Sequence, residues 1–215
     1  MIISYLGHSS FKIKTNTATL ITDPFDNSTG LHFVKQESDI VTISHQHQDH
    51  NNKAGIKNDN CFFIENPGEY EIKDVMIRSY KTFHDSENGA LRGENYIFLI
   101  QTEGQTICHL GDLGHELSDK IYKEIEATDI LMIPVGGTYT IDASLAAKIV
   151  HKVEPSIVLP MHYKTAGLAS RFDQLTSIDE FANKLNASIT REEKLNVKDS
   201  SLPEETMVYQ LEIKG

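Results

Sequence analysis

Apolar positions in the first 25 residues come in short bursts, at 2–5, 10–14 and 19–22, separated by polar or glycine-containing stretches, which is the pattern of paired strands. Thr15-Asn16-Thr17 supplies a turn, and Asp23-Pro24 stops the third strand because proline cannot donate to a ladder. A short apolar run at 39–44 opens directly onto a polar, histidine-rich segment at 45–52. That segment is predicted to be a loop at a strand's carboxyl end, where functional side chains are commonly presented. Next come a strand over 61–65, a Pro67-Gly68 turn, and a hairpin over 69–83 around Lys73-Asp74 that ends at His84. Beyond a loop holding Gly89 and Gly93, strands at 95–102 and 105–110 flank Glu103-Gly104, a hairpin turn, and run out at Gly111-Asp112.

From residue 118 the pattern changes to alternating helix and strand. Ser118 is the expected N-cap of a helix to about 127, and 130–135 reads as a buried strand. After a loop at 136–140, Asp142 caps a helix through 153, and a strand at 156–160 ends at Met161-His162. Residues 163–176 look irregular, 177–186 fits a capped helix, and 207–213 a closing strand. There is no repeat of fixed period and no low-complexity linker, so residues 1–215 form one expected domain.

Composition narrows the function. A chain of 215 residues buries roughly 70% of its unfolded surface, so its core needs no metal or disulfide staple, and any bound metal is expected to be functional. The formal charge of −11 disfavours non-specific attraction to phosphodiester backbones, and no nucleic-acid partner is expected. Cys61 and Cys108 sit in apolar runs and cannot make a disulfide framework, which suits a reducing, cytoplasmic setting. The amino-terminal segment lacks a basic start with a long apolar core, and no apolar stretch approaches 18 residues, so no membrane partner is expected. Oligomeric state stays open. What stands out is ten histidines beside two cysteines.

Residues 45–50 read His-Gln-His-Gln-Asp-His. By composition alone, a chance match to that spacing has an expectation of about 0.001. His45 and His47 are two apart on an extended segment and point the same way, while Asp49 and His50 follow as the chain turns and address a second point. Four candidate ligands within six residues suit two adjacent metals. A catalytic site keeps a position for water, so further ligands must come from elsewhere. The candidates end other strands on polar loops: His84, His109, Asp112 and His162.

With these residues in order, the sequence resembles the metallo-beta-lactamase-fold hydrolases. The resemblance runs through Asp23 in Ile21-Thr22-Asp23-Pro24, the motif at 45–50, His84, Gly111-Asp112 and Pro160-Met161-His162-Tyr163. Gly68-Glu69-Tyr70, Gly93-Glu94-Asn95 and the segment 134–140 are similar to the compact branch of zinc-dependent hydrolases related to ascorbate-6-phosphate lactonase. The resemblance implies an α+β fold, a four-layer αββα sandwich with the site at its edge. It further implies that His45, His47 and His84 bind one metal, that Asp49, His50 and His162 bind the other, and that Asp112 bridges them. The implied cofactors are two divalent metal ions, zinc first and manganese or iron as alternatives, since ligation by nitrogen and oxygen does not choose among them.

Such a pair would hold a bridging hydroxide for attack on a small ester, lactone, amide or phosphoester. Asp49 and Asp112 are then expected catalytic residues, and His109, displaced from the metals by Asp112, is a proton donor to the leaving group, a support for a ligand or, as a lone histidine at a strand end more often is, a satisfied structural residue. Asp23 either orients a ligand histidine or caps its Pro turn, and His8 either reaches the rim of the site or, as expected here, lies at the surface. His32, His115 and His151 are expected to be bland, and Tyr139, Tyr163 and Lys164 ordinary loop residues. The expected partner is a small-molecule substrate, tolerated if anionic. The alternatives are a phosphodiesterase or nuclease of the same fold, disfavoured by charge, and a non-catalytic metal-binding member, which predicts a missing ligand. A flavin-linked di-iron oxidoreductase would need a flavin partner and a carboxylate where His47 stands.

Overall fold

The structure, a computed structural model, describes residues 1–198 and 202–214. In chain order the first half contributes β1 (Ile2–Gly7), β2 (Ser10–Lys14), β3 (Thr19–Thr22), β4 (Ile40–Thr42), β5 (Phe62–Ile64), β6 (Gly68–Ile72), β7 (Val75–Phe83), β8 (Glu94–Thr102) and β9 (Gln105–His109). The second half adds α1 (Asp119–Ile125), β10 (Ile130–Pro134), α2 (Ala143–Val153), β11 (Ile157–Met161), α3 (Ile178–Leu185), β12 (Ile189–Glu192), β13 (Leu195–Asn196) and β14 (Met207–Leu211). One sheet has the order β13-β1-β2-β3-β4-β5, the other β12-β14-β11-β10-β9-β8-β7-β6.

Local chemistry explains the turns and caps. Lys73 and Asp74 (φ 49° and 60°) join β6 to β7, and Glu103 and Gly104 (φ 48° and 73°) join β8 to β9. Two central residues with positive φ match the twist of the strands they connect. Ser118 and Asp142 accept hydrogen bonds from the N–H groups of Ile121 and Leu145, opening α1 and α2 as expected. The irregular stretch 163–176 holds only a short 3-10 turn at Ser170–Phe172. Two strands were not expected: β12 is a half-exposed edge strand without an apolar alternation, and β13 is two residues long.

The central strands bury both faces. In β10, Leu131 and Ile133 pack towards α1, α2 and α3, whereas Ile130 and Met132 face the other sheet. The same alternation divides Ile97 and Leu99 from Phe98 and Ile100 in β8. This makes an α+β sandwich of two sheets in which the three described α-helices lie over the eight-stranded sheet, so the α-helix layer expected on the other face is not present among the described residues. The outer face of the six-stranded sheet is covered instead by a loop carrying Phe25 and Phe33, packed on Leu6, Ile21 and Val41. Among the described residues no helix is long and apolar enough to cross a membrane.

The carboxyl ends of β1, β4, β7, β9 and β11 meet along one edge of the sandwich. Two backbone bonds close the sheets there: His162 N–H donates to His8 O at 2.8 Å, and Tyr96 N–H to Ser44 O at 2.8 Å.

Candidate metal centre

Asp23, just past β3, organises the histidine loop. Its carboxylate accepts from Ser44 N–H (2.7 Å) and Ser44 Oγ (2.6 Å), and its Oδ2 lies 3.0 Å from His50 Nδ1. The imidazole is thereby fixed with Nε2 facing inward. Asp112 is held from the opposite sheet. Its N–H donates to Asn95 Oδ1 (2.9 Å), and the Asn95 amide donates to Thr82 Oγ1 and Leu110 O. Ser9 Oγ donates to Asp112 Oδ1 at 3.3 Å, which leaves Oδ2 to the histidines. His8, Asp23 and His162 all take left-handed backbone conformations, with φ of 55°, 38° and 51°. Such angles cost energy for residues other than glycine and concentrate where the surroundings force a side chain into place.

Two glycines let ligand-bearing backbones approach. A Cβ on Gly114 would stand 2.2 Å from the His84 carbonyl carbon, and one on Gly136 2.1 Å from the His162 carbonyl oxygen. Gly136→Ala must therefore push the β10 and β11 ends apart. The expected result is a loss of about 1–3 kcal/mol in urea unfolding together with reduced metal uptake. Wild-type values of both would show that the close approach does not position His162.

The centre itself is Asp112 Oδ2 ringed by imidazoles. His50 Nε2 and His162 Nε2 lie 3.2 Å away, His84 Nε2 3.3 Å and His45 Nε2 4.0 Å. All five of these residues are buried, Asp112 at 2% exposure. Burial opposes charge on His45, His50 and Asp112. At His50 it is outweighed by Asp112 and Asp23 on either side, so the pKa is raised. Burial would likewise raise Asp112, but His162 and His50 hold it well below the carboxylate range. His45 is lowered by burial and then by His50.

One carboxylate cannot satisfy so many nitrogens. Among the described residues, His45 Nε2, His50 Nε2, His84 Nδ1, His162 Nδ1 and both nitrogens of His8 have no hydrogen-bond partner, where buried polar atoms ordinarily do. Ligand atoms of His45, His47 and His84 lie within 4.8 Å of one another, and so do those of His8, His50 and His162. Converging imidazole and carboxylate donors without protein partners fit divalent transition metals.

The structure thus brings together His45, His47, Asp49, His50, His84, Asp112 and His162, but two expectations change. His8 is not at the surface: it is 3% exposed, its ring is 4.3 Å from that of His162, and its Nε2 is 3.4 Å from Asp49 Oδ2. It groups with His50 and His162, and Asp49 faces it from the other side. Burial and then His162 lower the His8 pKa to about 4. For Asp49, burial pushes upward, but the facing His8 and the charge on His50 prevail and lower it. Second, His109 braces backbone instead of donating a proton to a leaving group. Its Nε2 is 2.9 Å from Ser9 O, its Nδ1 accepts from Gly111 N–H, and it is fully buried.

Asp23 resolves in favour of orienting His50. His32 and His151 are exposed, and His115 accepts from Phe83 N–H outside the centre. Tyr163 is buried and Lys164 donates to Asp173 O, whereas Tyr139 joins the pocket. That pocket, of about 490 Å³, is open to solvent over His47, Asp49, His84, Asp112 and His162. No sequence signal marks its Arg92, Arg171 and Phe172, which lie on loops of ordinary composition.

A family model described as the beta-lactamase superfamily domain matches residues 2–162. A UPF0173 metal-dependent hydrolase from Lysinibacillus sphaericus is 30% identical over 195 residues, covering 77% of this chain and 86% of that protein. The chain belongs to the metal-dependent hydrolases of the beta-lactamase superfamily. A homologue from Carboxydothermus hydrogenoformans is 27% identical over 193 residues, 77% of this chain and 85% of its own. A crystal structure from Thermotoga maritima, provisionally described as a Zn-dependent hydrolase of the metallo-beta-lactamase superfamily, superposes with a TM-score of 0.79 at 35% identity, covering 98% of this chain and 99% of that one. A metallo hydrolase from Ignicoccus hospitalis, 22% identical, shares the fold at a TM-score of 0.66 over 86% and 90% of the two chains. The superfamily match spans the strand ends from His8 to His162, so the beta-lactamase fold and the centre coincide.

Proposed function

We propose that this protein is a dinuclear metal-dependent hydrolase of a small ester, lactone, amide or phosphoester. His45, His47 and His84 would hold one divalent ion and Asp49, His50 and His162 the other, with Asp112 between them. The supporting observation is the single buried Asp112 Oδ2 within 3.2 to 4.0 Å of four imidazole nitrogens. Bound there, divalent cations supply Lewis acidity for the scissile oxygen and bring the ionisation of water from pKa 15.7 to about 7.

The chain's own residues do the rest. Asp23 and Ser44 fix the tautomer and direction of His50 and His45, since Ser44 Oγ is also 2.9 Å from His45 Nδ1. Asn95 and Ser9 fix Asp112. His8 stands between Asp49 and His162 and restricts both. The pocket volume and the charge of −11 support a small molecule over a polymer.

Metal analysis tests the reading. Wild type should retain about two equivalents, and His47→Ala, which truncates an exposed side chain, about one less. Well under one equivalent in wild type, unchanged by His47→Ala, would refute the dinuclear centre. Lactones, phosphate esters, cyclic nucleotides and amides, screened with Zn-, Mn- and Fe-loaded protein, test the reaction class.

A further inference from the structure

Only four of the 20 basic residues are arginines, yet two of them, Arg92 and Arg171, line the metal-centre pocket, and no lysine does. Arginine presents a planar fork that fits the two oxygens of a carboxylate or phosphate, which an ammonium cannot match.

Tyr139 joins the two. The Arg92 guanidinium lies 5.7 Å from the centre of the Tyr139 ring, and the Tyr139 hydroxyl donates to Arg171 O at 2.6 Å. Arg171 stacks 4.6 Å from the Phe172 ring centre, with Nη2 3.1 Å from Ser28 Oγ and 3.3 Å from Asp49 Oδ2. Aromatic faces thus support both guanidinium groups. Among the described residues Arg92 has no carboxylate partner and only a long contact to Thr138 O at 3.4 Å, while Arg171 Nε and Nη1 have no partner.

The loop carrying Arg92 is built to hold it still. Buried Asp85 accepts four backbone hydrogen bonds, from Glu87, Gly89, Leu91 and Arg92, at 2.7 to 3.0 Å. Burial pushes this carboxyl up, but the four donors outweigh it and lower its pKa. A loop already ordered spends little binding energy on ordering. The chain as a whole carries a formal charge of −11, so two cations together in a concave site, where a field is focused, stand out against it.

We propose that the substrate carries a carboxylate or phosphate group away from the bond that is cleaved, and that Arg92 and Arg171 grip this group across the pocket. This rests on the hydrolase reading above and narrows it to anionic small molecules.

The test uses three aryl esters sharing one acyl group, with the aryl ring plain, carboxylated or phosphorylated. They are turned over by metal-loaded wild type, Arg92→Gln, Arg171→Gln and the double variant. Wild type should prefer a charged ester by about 100-fold in kcat/KM, with the carboxylate and phosphate arms showing which oxyanion is taken. Each single variant should lower that preference about 10-fold, mainly through KM, and the double variant should bring it near one. A wild-type preference near one, or equal losses on charged and neutral esters, would overturn the proposal. Calorimetric titration with a non-hydrolysable aryl phosphonate and an aryl dicarboxylate reads the grip without turnover. If wild type cleaves none of the esters, the hydrolase reading suffers. The titration still decides this one: at least tenfold weaker binding in the double variant supports it, and unchanged binding refutes it.

Discussion

Replacing Asp112 by alanine should remove metal retention and lower hydrolysis by about 10³-fold or more. Residues that merely orient metal ligands cost about 10–100-fold when lost, and Asp112 stands at the centre of the ligands themselves. Its Oδ2 lies 3.2 to 3.3 Å from the Nε2 atoms of His50, His84 and His162, and its Oδ1 accepts from the Ser9 hydroxyl. Alanine leaves those nitrogens facing one another, so the variant also loses stability. Asp112→Asn separates the two effects: it keeps the shape and an acceptor for Ser9 while removing the charge. Metal content, hydrolysis and urea unfolding should be followed together. Full metal content with wild-type activity in Asp112→Asn would refute a central role for the carboxylate.

The second large effect is expected at Asp23, which does not line the pocket yet fixes the geometry around it. Asp23→Ala removes the acceptor of Ser44 N–H and Ser44 Oγ and the partner of His50 Nδ1, all fully buried. Each orphaned donor costs about 1–3 kcal/mol in the metal-free protein. Beyond that, His50 is free to rotate and metal affinity should fall by about 10–100-fold. Competition against a chelator measures the affinity, and urea unfolding of metal-free protein the stability. A stability loss with affinity within twofold of wild type would make Asp23 purely structural and leave His50 oriented by its packing alone.

Much of the site was legible because strand ends announce themselves. An apolar run that halts at a polar residue marks a side chain delivered to a rim, and this picked out His84, Asp112 and His162 as well as the motif at 45–50. His109 shares that signature but turns inward: it is the last residue of β9, and Ser9, a hundred positions earlier, claims its Nε2. His8 was misplaced for the converse reason. It follows β1 in a short glycine-bearing loop that looks exposed, and only the bond from His162 N–H to His8 O draws it into the centre.

Sequence alone determined the local steps: both hairpin turns, the Ser118 and Asp142 caps, and the order of candidate metal-ligand residues along the chain. These depend on neighbours within a few positions. Tertiary structure alone decided which strand ends meet. It admitted His8, withdrew His109, aligned Asp23 with His50, and brought Arg92 and Arg171 to one pocket although they lie on separate loops. The period of a strand says which face is buried, whereas the partner across the sandwich is chosen by packing and hydrogen bonds between residues a hundred or more positions apart.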